Sequence, residues 1–303
     1  MKNGLEKLSF FKLPFVLALS YVFFSLMIFL YQIGYSYHIE FIIKNHFTYF
    51  VFIKSIIILP YFLFILAISA ITLYKINIHN FSQFNIILVC LIGLLISIVH
   101  YFISFDIQWI MFETDYDIWV GLFFRIVQEC IIYCIIGLFT YYLLKNMKNI
   151  FNKNYQPFRI DSQNSTKIHR NLFIIFFFAI LIQLYFFMIP KDTNYLQSDI
   201  SLVFYIVVIL YIIISTPIPI LMLKNRFTKT SNQLQAKLII KLAFLANFLL
   251  LIISLCFSPI FFDILVKTIF GNQRYWLLLL LILMIQSFLW GVTLRILTGK
   301  KMD

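Results

Sequence analysis

Arg125 and Glu129 stand four residues apart within residues 118–144, the one apolar stretch of the sequence that carries both signs of charge. At that spacing they share one side of a helix, a single turn apart. The two can neutralise each other, or either can hold a proton or a small cation beside a hydrated path, a frequent role of ionisable residues inside membranes. Gly121, Arg125, Glu129, Tyr133 and Gly137 recur at every fourth position, so they trace one slowly drifting stripe. Phe123, Phe124, Ile126, Ile131, Ile132 and Leu138 cover the rest of that helix. At about 1.5 Å per residue, the pair lies roughly 10 and 16 Å below Ile118, near the middle of a ~30 Å hydrocarbon core.

Arg125, Glu129 and Tyr133 are therefore the candidate buried polar site. Removing one partner of a buried ion pair strands the other charge, at ~3 to 5 kcal/mol, so the pair can persist for packing alone. The balance falls on that structural side, because nothing else in the sequence completes a path.

Other chemistries fail for want of residues. His38, His46, His79 and His169 fall in loops or interfaces, which leaves His100 as the only membrane histidine and excludes a haem held by two imidazoles. Cys90, Cys130, Cys134 and Cys256 all lie in apolar spans. Cys130 and Cys134 have helical rather than zinc-knuckle spacing, so they are expected to be small buried hydrophobes. The sequence has no G-x-S-x-G, no H-E-x-x-H, no membrane-embedded pair of aspartates, no Asp-rich pair and no Gly-rich phosphate loop. No catalytic residue, metal ligand or cofactor is assigned. His38, Glu40, Asp106, Glu113, Asp115 and Asp117 are the residues on which a membrane-bound transferase would have to rely. Asn164, Ser165 and Thr166 form a glycosylation sequon in a strongly basic segment, and it is read as unused.

The elements that must position the site are set by composition. Of 303 residues, 62% are hydrophobic and 12% charged, against roughly 25% charged in soluble domains, and the mean hydropathy is +0.95. The fold class is all-α, a polytopic transmembrane bundle of about eight spans near residues 13–33, 50–74, 84–105, 118–144, 172–189, 200–223, 238–262 and 275–297. Residues 34–49, with His38, Glu40, Lys44 and His46 among aromatics, read as interfacial. Residues 106–117 form an acidic connector. Residues 1–12 lead into a span too long for a signal sequence and without a small-residue cleavage site, so the first span is expected to stay in place. The 8 glycines leave little hinge freedom for a rocking transporter.

Charge orients the bundle. With the N-terminus inside, 18 of the 24 Lys and Arg fall in inside segments and five outside, with Arg125 in the membrane. Eight acids fall outside and three inside, with Glu129 in the membrane. Both termini are therefore expected in the cytoplasm. The formal net charge of +12 is a topology signal that needs no nucleic-acid partner. Residues 1–144 form a first four-span half, 145–171 a basic cytoplasmic linker and 172–303 a second half, one membrane domain in all. Support for a duplication is thin: Trp119 with Gln128 and Glu129 loosely echoes Trp276 with Gln286 and Ser287, one residue out of step. Gln183, Asn247, Ser254, Gln286 and Ser287 are expected to bond between helices.

The expected function is that of a non-enzymatic membrane component, a sensor, effector or subunit of a membrane complex, in the cytoplasmic membrane of a bacterium. Its partners are the lipid bilayer and either a second membrane protein or a second copy. A small-molecule or ion transporter using Glu129 is the alternative, and a membrane-bound transferase the third reading.

Overall fold

The computed structural model of the protein describes residues 2–35, 39–112, 118–152, 162–187 and 234–248, with parts of 281–296, and the regular structure of all of them is helical. Five long helices follow in order: α1 (Lys2–Tyr35), α2 (Ile39–Lys75), α3 (Gln83–Phe112), α4 (Ile118–Asn146) and α5 (Ser162–Phe187). A sixth, α6, covers residues 236–248. Phe10–Gln32, Ile57–Lys75, Gln83–Ser104, Val127–Asn149 and Ser165–Gln183 are long and apolar enough to cross a membrane, which marks the chain as an integral membrane protein. The expected span at 200–223 lies outside the described residues. So do residues 249–262 of the seventh and much of the eighth, including Trp276 and Gln286.

The helices outrun the apolar spans. Residues 39–49, expected at the interface, are the first turns of α2, and residues 106–112 of the acidic connector prolong α3. A helix leaves four N–H groups unpaired at its start and four C=O groups at its end, and the extra turns carry these groups beyond the apolar span. The start of α5 at Ser162 cuts ten residues from the expected linker. Its polar first turns bury Ser165, Ile168, His169 and Leu172, a helical repeat that an averaged hydropathy does not reveal.

The chain divides into two compact units, residues 1–159 with 182–190 and residues 160–181 with 191–303. In the first, α1 packs on α2 and α3, and α4 packs on the same two helices, so the cyclic order is α1, α2, α4, α3. Leu13, Leu17 and Tyr21 of α1, Ile58, Tyr61 and Ile65 of α2, Val89, Ile92 and Ile96 of α3, and Ile132 and Ile136 of α4 are buried between them. The outward stripes are equally apolar: Phe15, Leu19 and Phe23, then Ile87, Leu91 and Leu95, then Ile131, Ile135 and Leu138. A chain whose solvent is lipid gains nothing from a polar exterior. Cys130 and Cys134 are exposed on the outward stripe of α4. They do not sit in the interior as expected, because their own spacing keeps both on the side of Ile131 and Ile135.

Backbones come closest at Gly93. A Cβ there would lie 3.0 Å from the Leu17 carbonyl oxygen and 3.0 Å from the Tyr21 amide nitrogen, so α3 meets α1 through a position that admits no side chain. At Gly137 the neighbour is a ring. A Cβ would lie 3.1 Å from the tip of Phe64.

One end of this unit is closed by hydrogen bonds. After α2, Asn77 adopts φ 57°, while the amides of Asn77 and Ile78 bond the carbonyls of Tyr74 at 3.1 Å and Leu73 at 3.0 Å. This is a Schellman ending with asparagine in the left-handed position that glycine usually fills. Asn85, fully buried, donates through Nδ2 to the carbonyls of Asn80 at 2.8 Å and Asn152 at 3.0 Å, and its Oδ1 accepts the Asn152 amide at 2.9 Å. A single side chain thereby ties the turn after α2 and the end of α4 to the start of α3.

His79, in that turn, stacks on Phe10 with ring centroids 6.3 Å apart. Burial lowers its pKa from 6.5 to about 4. Between those values the unfolded chain takes up a proton that the folded chain excludes. The contribution of this neutral ring is thus complete above pH 6.5 and lost as acid carries the pH down towards 4. Thermal unfolding in detergent should show stability falling across this window, with a shallower fall in His79→Phe, which keeps a ring against Phe10. Equal slopes in the two proteins would mean that other groups set the acid limit.

Candidate functional site

A polar cluster in the first unit is assembled by all four helices, with Tyr21 and Tyr61 buried and His100, Glu129 and Tyr133 half-buried. From α2, the Tyr61 hydroxyl donates to Oε2 of Glu129 on α4. The Tyr61 ring stacks on that of Tyr133, one turn further along α4, with centroids 4.7 Å apart and planes at 10°. Phe64 meets Tyr133 edge-on, again at 4.7 Å. The other side of Tyr61 touches His100 of α3 at 4.3 Å between centroids, and His100 Nδ1 lies 2.6 Å from the hydroxyl of Tyr21 on α1. Tyr21 is 0% exposed and Tyr61 3%. The hydroxyl of Tyr133 reaches Oε1 of Gln183 at 3.5 Å, the outer limit of a useful bond.

Local sequence explains the convergence. Tyr61 and Phe64 are three apart on α2, and Glu129, Tyr133 and Gly137 are each four apart on α4, so two helical stripes face each other. The notch at Gly137 receives the tip of Phe64, which lets α4 approach α2 closely enough for Tyr61 to reach the carboxylate. The most buried line of α4 is Gln128, Ile132, Ile136, Thr140 and Leu144. The Glu129 stripe flanks that line and does not coincide with it.

Two of the three candidates, Glu129 and Tyr133, thus lie in one cluster. Arg125 is in α4, and its side chain lies outside the described residues, as do those of His38, Glu40, Asp106, Glu113, Asp115 and Asp117. Sequence reasoning missed Tyr21, Tyr61 and the role of His100. The available signal was a tyrosine at mid-span, away from the interfacial belt where tyrosines gather, but 18 tyrosines and 37 phenylalanines hid it. His169, assigned to a loop, is instead buried in α5. Of the polar residues expected between helices, Asn247 donates to the Phe177 carbonyl at 3.1 Å and, within its own helix, to that of Ala243 at 2.8 Å. Ser254 and Gln286 lie outside the described residues.

Comparison of the chain with protein-family models, curated proteins and solved structures finds no match. Function has to be argued from the site.

The cluster's groups suit proton chemistry and charge stabilisation. A charged carboxylate at mid-membrane costs ~2.5 to 3.5 kcal/mol, and a hydrogen bond to a charged group returns ~1.5 to 3. The Tyr61 bond is therefore comparable in size with the cost of placing a charge there. At His100, a neutral ring protonated on Nε2 accepts the Tyr21 hydroxyl, whereas Nδ1–H would make Tyr21 the acceptor. Among the described residues, no three His, Cys, Asp or Glu gather as a metal site requires.

If Tyr61 stabilises a charge, Tyr61→Phe should lower unfolding free energy by ~1.5 to 3 kcal/mol in the native background. It should cost only about 1 kcal/mol beside Glu129→Gln, where the acceptor is neutral. Unfolding of the four proteins in detergent gives the coupling. Equal losses in both backgrounds would show that the phenol serves packing alone.

Proposed function

We propose that the protein is a non-enzymatic multi-spanning component of a bacterial cytoplasmic membrane, a sensor, effector or subunit of a larger complex. Eight spans and two cytoplasmic termini are part of the same reading, supported by the distribution of Lys and Arg. The observation that carries it is the Tyr61 bond to Glu129, which joins α2 to α4 inside an apolar unit with a charge-stabilising contact. In this reading Arg125 neutralises Glu129 across one helical turn, and the pair sets how α4 seats on α2. Lipid covers the outward stripes, and a second membrane protein or another copy completes the assembly. The positive charge orients the chain and calls for no nucleic acid.

Transport of a proton or small cation through Glu129 is the second reading. It is favoured by the gathering of Tyr21, Tyr61, His100 and Tyr133 around that carboxylate, since phenols and imidazole both give and accept protons.

Paired substitutions distinguish the two. Replacing Arg125 and Glu129 together by apolar residues of similar size should leave a folded, membrane-inserted protein. Either replacement alone should cost ~3 to 5 kcal/mol, because one charge is left without its partner. Membrane abundance and thermal stability report this. A proton or cation flux in proteoliposomes that disappears in a stably folded Glu129→Gln protein would overturn the structural reading in favour of transport. The orientation has its own test: a cysteine replacing Asn164 should resist an impermeant thiol reagent added to intact cells, and its labelling there would reverse the topology.

A further inference from the structure

His169 is 1% exposed, and its two ring nitrogens have different partners. Nδ1 lies 2.7 Å from the backbone carbonyl of Ser165, one turn back on α5, and 3.3 Å from the Ser165 hydroxyl. Nε2 lies 3.1 Å from the backbone nitrogen of Gln235. A backbone amide can only donate, so Nε2 must present its lone pair, and the single ring proton therefore sits on Nδ1 and is given to the Ser165 carbonyl. The tautomer is set by the partners.

Gln235 holds a special position. Its carbonyl accepts the amide of Ile239 at 3.1 Å, the first bond of α6, which makes it the N-cap residue of that helix. A glutamate in the first turn often takes the amide of an N-cap. Here the imidazole of another helix accepts it, so the bond that finishes the start of α6 also staples α6 to α5.

We infer that this staple is released by acid. A proton delivered from water to Nε2 turns the ring into a double donor, and the new N–H points at the N–H of Gln235. The Gln235 bond breaks and the Ser165 bond survives; the proton's donor is hydronium, which is left as water. The charged groups on the two elements that meet at His169 decide whether the contact tightens or opens. They are Lys167 and Arg170 on α5 and Lys237 and Lys241 on α6, and no carboxylate occurs in residues 162–187 or 234–248. The N-terminus of α6 adds the positive end of its dipole. The described charges on these two elements are all positive, so protonation opens the contact. The helices then part where α5 begins.

The test is hydrogen exchange by mass spectrometry on the full chain in detergent micelles, with rates corrected for intrinsic pH dependence. Between about pH 8 and about pH 5, the peptide that contains the start of α6 should lose protection about ten-fold, the loss expected for one hydrogen bond, and recover it on return. His169→Gln, whose amide oxygen accepts at either pH, should stay protected throughout. His169→Arg should be open throughout. Protection of the native peptide that persists at the lower pH would overturn the inference. So would the same acid loss in His169→Gln, or full protection in His169→Arg.

Discussion

A carboxylate on an apolar helix must find its donors inside the protein, because lipid offers none. Glu129 meets that demand through Tyr61, and much of the first unit follows from it. Tyr61 has to be held at the right height on α2, which its stack on Tyr133 and its contact with His100 accomplish. Phe64 must not obstruct the approach of α4, and the missing side chain at Gly137 makes room for it. Four helices thus share one polar centre whose members are nearly all large planar rings. Rings of this kind lose little conformational freedom on burial and fill volume while carrying a single polar atom each.

The remaining polar groups are handled differently. The hydroxyls of Ser20, Ser69, Thr72 and Ser97 turn back to carbonyls of their own helices, at 2.8, 3.1, 2.8 and 2.7 Å. Their bonds lie within their own helices, although Ser20 is also seated against Gly93 of α3. Asn85, by contrast, spends its amide on three separate backbone groups. The first unit therefore has one end clamped by a dedicated amide and a middle organised by an aromatic and ionic cluster, with apolar packing between.

The helical class and the first five spans were legible from apolar length alone, since a bilayer accepts little besides helices. Helix ends were less so. Hydropathy marks where a helix leaves hydrocarbon, whereas α2 ends where its backbone groups find other partners, in the turn at Asn77. The polar start of α5 was opaque for a related reason: Ser165 and His169 look like loop residues until one sees that the side facing the protein provides for them. At the site, charge pointed to Glu129, and the four-residue repeat pointed to Tyr133. Tyr61 and Tyr21 could not be singled out, because a buried donor and a lipid-facing aromatic are the same letter, and only the turn of the helix separates them. Gly93 was equally silent, since its role is visible only once α1 lies against it.

That glycine has a mechanical corollary. With Ser20 of α1 seated over Gly93, and the backbone of Leu17 and Tyr21 in near contact with it, α1 and α3 are keyed like a tenon in a mortise. Sliding one along the other by a helical turn, ~5.4 Å, would drive Ser20 out of the notch and onto the branched side chains of Val89 or Ile96, which are fully buried. Rotation meets a second stop where Tyr21 and His100 bond across the same seam. Movement along this seam is therefore blocked both in translation and in rotation, and α1 with α3 forms one block on which α2 and α4 are mounted.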